Sequence, residues 1–501
     1  MSVKKPNILM IYADQMRYDC MGCSGNPDVK TPHLDRLANQ GVMFENAYTS
    51  YPLCTPFRAS LLTGKYAHQA GLYSNHFPIS ADQPSLAPCL NDSGYSSGYI
   101  GKWHLFGGPK PGFVPPGPDR MGFDHFVGYN RGHQYMDAVY YRDTDQPYHC
   151  KRYEPDFQTD HTIEFMEKVA GSGGDDPFYA YVCFGPPHFP MDMPEHWRTM
   201  YDPDKVRLPM GTPNPELQKR RAQERTALDY DGDGRFGERS KADKFEGMDP
   251  EIETEWQIRK FTAEYYGMIS NVDYNVGRLL NWLDANGLAD DTIVIFFSDH
   301  GDMLGQHGSY CGIKRQAYRT SAHVPLFIRY PARFAPGKRV TSLVDVAVDT
   351  MPTILETCGI AIPDGVQGTS YLPLLEGSSD APTRDHVQFE LMKADFGGRS
   401  ERHVKPERGI RTREWLYVRK QDRPLYLFDQ TNDPDETNNL VNDPAYAAIQ
   451  AELDARVLKN MAETGDAWEL EMQFPPPGYM THKDAHRYLL EDVKPRAIEV
   501  P

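Results

Sequence analysis

Lysine and arginine are in deficit, 53 against 70 aspartates and glutamates, leaving a net charge of −17 over 501 residues. Binding a phosphate backbone needs a basic face, so this balance argues against nucleic acid as a partner. It also weighs against long polyanionic substrates, although a local basic pocket can sit in an acidic surface. No apolar run is long enough to span a bilayer, which excludes a helical membrane protein. Internal repeats and low-complexity tracts are absent. Cysteine is sparse, eight residues at 20, 23, 54, 89, 150, 183, 311 and 358. Cys20 and Cys23 have no second pair at zinc spacing, and the scatter fits reduced thiols better than a disulfide framework. No signal peptide precedes the first strand, as Met1-Ser-Val-Lys-Lys-Pro6 runs directly into Asn7-Ile-Leu-Met. The expected location is cytoplasmic, or periplasmic or secreted if a leader has been trimmed.

What is present reads as a globular enzyme, 40% hydrophobic and 25% charged, long enough for one large domain and a smaller one. Apolar strand candidates at 7–13, 96–100, 178–184, 292–298 and 324–329 alternate with helical segments. That is the pattern of an α/β fold with helices on both faces of a sheet. Thr31 as cap and Pro32 at the first position open a helix over 32–40. A long amphipathic helix covers about 252–287, and another runs over about 346–358 to Gly359. Residues 105–125, rich in Gly and Pro, read as a loop over the site, and the polar stretch 200–250 as an insertion or lid. Within it, Asp229-Tyr-Asp-Gly-Asp-Gly234 imitates an EF-hand loop, but Ser240 stands where the bidentate Glu belongs, so a solvated turn is expected. After about 380 the texture becomes strand and turn, at 386–391, 408–419 and 425–428, followed by a helix near 443–463. The expected division is a catalytic unit over 1–380, a small antiparallel sheet with one helix over 381–470, and an extended arm over 471–501 that would pack on a second copy of the chain.

Residues 54–64, Cys-Thr-Pro-Phe-Arg-Ala-Ser-Leu-Leu-Thr-Gly, are the most informative run. Pro56 suits the first turn of a helix, which puts Cys54 at a helix N-terminus, where free N–H groups favour an anion. Arg58, one turn on, can return to the same spot and hold an oxyanion. Read alone, Cys54 is as readily a small buried hydrophobe. Asp14 and Gln15 follow the first strand, at the carboxyl edge where ligands of parallel sheets collect, although a lone Asp there is more often a turn former. The strand 292–298 ends in Asp299-His-Gly-Asp302. Asp299 and His300 point to opposite faces unless the chain turns, and Gly301 permits a turn. Two carboxylates, an amide oxygen and an imidazole suit a hard divalent cation, Ca²⁺ or Mg²⁺, with Mn²⁺ and Zn²⁺ left open. In Gly101-Lys-Trp-His-Leu105, Lys102 and His104 share a face of an extended segment and can reach one anion together. His188 is held among prolines in Phe184-Gly-Pro-Pro-His-Phe-Pro190, and Lys314 follows the Asp299 turn, with Arg315 as its rival. His68, Asn75, His76 and His307 are further candidates to line a pocket.

These segments, in order over 7–104, 178–190 and 292–330, resemble the sulfatase family, with Cys-x-Pro-x-Arg at 54–58 and Gly-Lys-Trp-His at 101–104 similar to its two signatures. The resemblance implies an alkaline-phosphatase-like fold, a large mixed, mostly parallel sheet with a smaller C-terminal antiparallel sheet. It implies hydrolysis of a small alkyl, aryl or sugar sulfate ester. A formylglycine-generating enzyme would oxidise Cys54 to formylglycine, whose hydrate serves as nucleophile. That hydrate would join Asp14, Gln15, Asp299 and His300 around one divalent metal, foremost Ca²⁺. Arg58, Lys102 and Lys314 would neutralise the nonbridging oxygens, His188 would protonate the leaving oxygen, and His104 would take the last proton as sulfate departs. Phe57 stands where many members carry Ser, Gln15 where a second Asp is common, and His300 where Asn is frequent. The departures at Gln15 and His300 keep the metal identity open and suggest a bacterial subgroup. Phosphonate monoester and phosphodiester hydrolases of the same superfamily are the nearest alternative. A catalytically silent binding protein would not need every catalytic residue type to be retained.

Overall fold

Asn7–Asp14 (β1) is buried at all eight positions. Ile8, Met10 and Tyr12 join the core on one face, and Leu9, Ile11 and Ala13 that on the other. Such a continuous apolar run belongs to a central strand covered on both sides. The computed structural model describes residues 5–72, 75, 77–107, 110–172, 176–209, 211–217, 254–378, 381, 383–391 and 406–468. The further strands are β2 (Val42–Tyr48), β3 (Ser96–Lys102), β4 (His125–Tyr129), β5 (Ala138–Tyr140), β6 (Tyr148–Cys150), β7 (Phe178–Pro187), β8 (Thr292–Ser298), β9 (Leu326–Arg329) and β10 (Lys338–Asp345). The hairpin β5–β6 stands apart, and the other eight form one sheet in the order β10-β2-β9-β8-β1-β7-β3-β4. Only β9 runs against its neighbours. The carboxyl ends of β1, β3, β4, β7 and β8 therefore lie along one edge.

Helices Cys54–Thr63 and Val346–Thr357 cover one face, contributing Phe57, Leu61, Met351 and Ile354 to its core. Pro32–Gln40, Glu154–Ala170 and Glu255–Ala285 cover the other, with Leu34, Met166 and Val272. Each fully buried Leu or Phe contributes about 1.5–3 kcal/mol, so the two faces dominate stability. A second sheet, β11 (Val387–Leu391), β12 (Glu407–Arg411), β13 (Trp415–Lys420) and β14 (Pro424–Asp429), is antiparallel throughout. Its Ile410, Tyr417 and Leu427 pack against Leu453 and Val457 of helix Ala447–Thr464.

The alternating α/β pattern and the C-terminal antiparallel sheet are as expected. The segment expected as 408–419 is two strands, and the one expected at 324–329 starts at Leu326 and is the reversed strand. Thr31 does not cap the helix at 32–40. Its hydroxyl accepts from the Gly22 N–H at 2.8 Å and donates to Asp35. The cap comes from Asp273 of the long helix, which accepts the N–H groups of His33 and Leu34 at 2.9 and 2.7 Å. β2, β4, β10 and helix Glu154–Ala170 had no clear sequence signal, since polar residues interrupt their apolar positions. All eight cysteines are unpaired. Among the described residues no helix is long and apolar enough to cross a membrane. Most of the expected insertion, including residues 229–234, and the whole arm 471–501 lie outside the described residues.

Candidate active site

Five strands deliver the site. β1 ends on Asp14, β8 is followed by Asp299 and His300, β3 ends on Lys102, β7 leads into His188 and β4 into His133. Between Ala13 and Asp14 the β1–β7 register jumps, so that Asp14 pairs with Pro187 rather than continuing from Phe184. Such an irregularity re-aims the side chains beside it and sets Asp14 next to the His188 turn. Cys54 is the first residue of its helix, as its spacing to Pro56 predicts. Phe57, which stands where many members carry Ser, packs into the aromatic core with Tyr12 and Phe297.

The Cys54 thiol lies 3.4 Å from His300 Nε2 and 3.7 Å from Asp14 Oδ1. The ligand atoms of Asp14, Cys54, Asp299 and His300 all fall within 4.8 Å of one another, and all four residues are buried. Donors held about 2.4 Å from one ion lie no more than about 4.8 Å apart, so the group fits a divalent cation such as Ca²⁺. Its chemistry fits as well. Asp299 Oδ2 is buried, and its one close polar neighbour, His300 Nε2 at 3.1 Å, does not meet it in hydrogen-bond geometry. His300 Nδ1 faces the Gly301 carbonyl at 3.0 Å, so Nε2 is the nitrogen turned toward the carboxylates and the one placed to ligate a cation.

Gly301 acts differently from expectation. Its φ is not positive; a Cβ there would come within 2.1 Å of the Thr320 carbonyl, so glycine is required for close approach. The conformational strain sits elsewhere, at Gln15, His104 and Arg315, with φ of 68°, 59° and 65°. His104 thereby leaves the strand, and the alternation that placed Lys102 and His104 on one face does not apply. Its carbonyl accepts from Thr55 Oγ1 at 2.9 Å, which ties it to the residue after Cys54.

Arg58 is buried. It donates to the Lys102 carbonyl at 2.6 Å, to Tyr99 at 3.1 Å and to Asp14 Oδ2 at 3.3 Å, and its guanidinium lies 4.4 Å over the Tyr12 ring. Lys102 Nζ donates to Asp14 Oδ2 at 2.8 Å and to His133 Nε2 at 3.1 Å. Lys314 Nζ meets Gln15 Oε1 at 3.2 Å and His188 Nε2, while its neighbour Arg315 is anchored by its backbone to the Pro52 carbonyl. Gln15 also donates through Nε2 to Asp302 at 2.6 Å, so its amide is shared between a lysine and a carboxylate beside the Asp14, Asp299 and His300 group. His188 Nδ1 faces the Phe189 carbonyl at 2.5 Å, and Nε2 faces the Lys314 ammonium.

The electrostatics follow from this crowding. Burial and Asp299 push the Asp14 pKa up, but Lys102, His188 and Arg58 prevail and hold it at about 2. Asp299 is held well below the carboxylate range, because His300 and Arg58 outweigh its burial. Burial depresses His300, yet Asp299 and Cys54 raise it to about 10. Asp14, Asp299 and, through Gln15, Asp302 are matched by Arg58, Lys102 and Lys314, so a divalent cation bound here would leave the site positive, which favours an anionic ligand.

The sulfatase family model matches residues 6–360, and that of the N-sulphoglucosamine sulphohydrolase C-terminal region matches residues 305–463. The chain belongs to the sulfatase family. It is thus a sulfuric ester hydrolase of the alkaline phosphatase superfamily. This sulfatase is 34% identical over 469 residues to the ulvan-active sulfatase of Formosa agariphila, covering 93% of this chain and 83% of that protein. Among solved structures it resembles BT4656 in complex with its substrate D-glucosamine-2-N,6-O-disulfate, with a TM-score of 0.74 and 27% identity, covering 92% of this chain and 99% of that one. The phosphonate monoester hydrolase of Agrobacterium radiobacter superposes equally well, at a TM-score of 0.74 and 26% identity, covering 92% and 96%.

Asp14, Gln15, Cys54, Arg58, Lys102, His188, Asp299, His300 and Lys314 of the sulfatase are thus gathered at one edge, with His104 tied beside them. His68 is not: it pairs with Glu390 at 2.6 Å, because the C-terminal sheet covers it. His307 stacks on Tyr318 at 3.9 Å and lines a separate cavity of about 240 Å³ with Arg17 and Arg319. Asn75 accepts the Thr55 N–H at 3.0 Å and supports the Cys54 turn. His76 lies outside the described residues. His133, Tyr135 and Asp302 were not singled out as site residues in the sequence. The usable signal for His133 was its place just past a parallel strand.

Proposed function

We propose that this sulfatase removes sulfate from a sugar sulfate, through a nucleophile made from Cys54 and a divalent cation held by Asp14, Gln15, Asp299, His300 and the modified residue 54. The observation that carries the reading is Cys54 at a helix N-terminus, 3.4 Å from His300 and 3.7 Å from Asp14, in a pocket rich in fixed cations. Sugar sulfate is favoured because the ulvan-active sulfatase and the disulfated glucosamine complex are both carbohydrate systems. Residues 1–380 form the catalytic unit in this reading, and 381–470 an accessory one. A formylglycine-generating enzyme would mature Cys54, and the resulting aldehyde hydrate supplies a hydroxyl nucleophile whose ester releases sulfate without a second water attack. The cation, foremost Ca²⁺, supplies positive charge for the nonbridging oxygens when bound.

The protein's own groups do the rest. Arg58 is held by Asp14, Tyr99 and the Lys102 carbonyl, so its fork presents charge without reorganising. Lys102 and Lys314 bind the remaining oxygens of the sulfuryl group. His188, its Nε2 beside the Lys314 ammonium, protonates the leaving oxygen, while Lys314 keeps its charge for the sulfuryl group. His104 takes the proton from the second hydroxyl of residue 54 as sulfate is released. Asp299, kept ionised by His300, helps deprotonate the attacking hydroxyl.

A second reading is phosphonate monoester hydrolysis, favoured by the equal structural similarity to the Agrobacterium enzyme. The test is mass analysis of the peptide across Cys54, followed by matched sulfate, phosphate and phosphonate esters on the modified protein. We expect the mass of formylglycine, fastest cleavage of a sulfated sugar, and loss of on the order of 10⁴-fold in turnover for Cys54→Ala. Faster phosphonate cleavage selects the second reading, and unchanged turnover in Cys54→Ala overturns both.

A further inference from the structure

His133 belongs to none of the metal, nucleophile or proton-transfer groups above, yet it touches two of the residues that carry the chemistry. Its Nε2 lies 3.1 Å from Lys102 Nζ, and its Nδ1 lies 2.9 Å from the Tyr135 hydroxyl. Its ring lies flat on His188, with centroids 3.6 Å apart and planes 5° from parallel. The Tyr135 hydroxyl directs its hydrogen at the His188 and Gly185 carbonyls, at 2.6 and 3.2 Å, and the Lys102 ammonium can only donate, so Tyr135 is the acceptor and Lys102 the donor in their contacts with His133. Nδ1 then carries the proton, and Nε2 turns its lone pair on the lysine. Tyr135 cannot swing away, since it is fully buried and a Cβ at Gly185 would come within 2.5 Å of its ring.

An ammonium has three N–H donors. In Lys102 one goes to Asp14 Oδ2 at 2.8 Å and one to His133 Nε2, and the third has no partner among the described residues. A lysine held at one point can rotate about a flexible stem, whereas two fixed acceptors determine the direction of the third N–H. A neutral acceptor is the right choice here. A carboxylate at this position would cancel the lysine's charge, and a second cation would repel it.

We infer that His133 is a positioning residue, its neutral imidazole fixing the Lys102 ammonium so that the remaining N–H points at the sulfuryl oxygens. This rests on the reading above that Lys102 binds the sulfuryl group. The ring also fixes the plane of His188, and the two roles separate by substitution. His133→Phe keeps a flat ring over His188 and removes the acceptor; His133→Gln restores an acceptor near Nε2 and removes the ring.

The experiment measures kcat and KM of the matured protein on an aryl sulfate for both variants, alone and in a Lys102→Ala background, with thermal melts as a control. We expect His133→Phe to lose on the order of 10²-fold in kcat/KM, the scale of a misplaced catalytic group. His133→Gln should recover most of that loss, and His133→Phe should add nothing once Lys102 is Ala, the mark of two residues acting as one unit. Wild-type turnover in His133→Phe, or equal and additive losses in both variants, overturns the inference while the function stands. Unchanged turnover in Lys102→Ala overturns the reading beneath it. Should the Phe variant melt early, His133→Asn, too short to reach the lysine, replaces it in the same comparison.

Discussion

The cluster of Asp14, Cys54, Asp299 and His300 and the cluster of His68, Glu390 and Asp466 each gather ligand-type atoms within 4.8 Å of one another. They are finished differently. Around His68 the polar atoms have ordinary partners. Glu390 accepts the N–H groups of Ala67 and His68 at 3.1 Å each and the His68 ring at 2.6 Å, and His68 Nε2 faces the Thr464 carbonyl at 3.0 Å. Asp466 is gripped by both arms of Arg408. At the sheet edge, Asp299 Oδ2 accepts no hydrogen bond, Lys102 keeps an open N–H, and three neighbouring residues sit at positive φ. Residue type and burial do not distinguish the two clusters. Unspent hydrogen-bonding capacity does, because a buried polar atom left open costs stability unless a ligand fills it.

The largest expected effect strikes the first cluster. Asp299→Asn should lose bound divalent metal, measured by elemental analysis, and on the order of 10²–10³-fold in kcat/KM. Asp466→Asn should leave the metal content at its wild-type level, and a metal lost there instead would reverse the comparison. Next in size, Arg408→Ala strands Asp466, only 3% exposed, and should destabilise by about 3–5 kcal/mol in chemical denaturation with kcat unchanged. The smallest effect is the pH dependence of the second cluster. Burial pulls the His68 pKa down, but Glu390 wins and raises it. A raised folded pKa gives stability that is complete below the unfolded value of about 6.5 and is lost as pH climbs through the folded value. The melting-temperature gap between wild type and His68→Asn should therefore shrink with rising pH above that point, by on the order of 1 °C. A gap that widens with pH would mean that His68 is neutral in the fold.

Much of the site was legible because its residues sit at fixed offsets from strong local signals. An all-apolar strand followed by Asp14, another followed by Asp299, and Pro56 two residues after Cys54 each state where the side chain starts. His133 was not legible, since Arg-Gly-His-Gln after β4 carries no local mark and matters only through Lys102 and His188. Gly301 was located correctly but for the wrong reason: the Thr320 carbonyl that excludes a Cβ comes from a later segment of chain. The Thr31 cap failed in the same way, because Asp273 supplies from the long helix what Thr31 would have supplied locally.

The sequence alone determined the strand-and-helix alternation, the family and the residue types around Cys54, because each depends on neighbours within one turn or one strand. Tertiary structure decided which of two buried acid–histidine clusters is open to a ligand, which lysine hydrogen bonds remain unspent, and that His133 stands between Lys102 and His188. Those outcomes depend on atoms from β1, β3, β4, β7 and β8 meeting at one sheet edge, and no spacing along the chain encodes the distance between them.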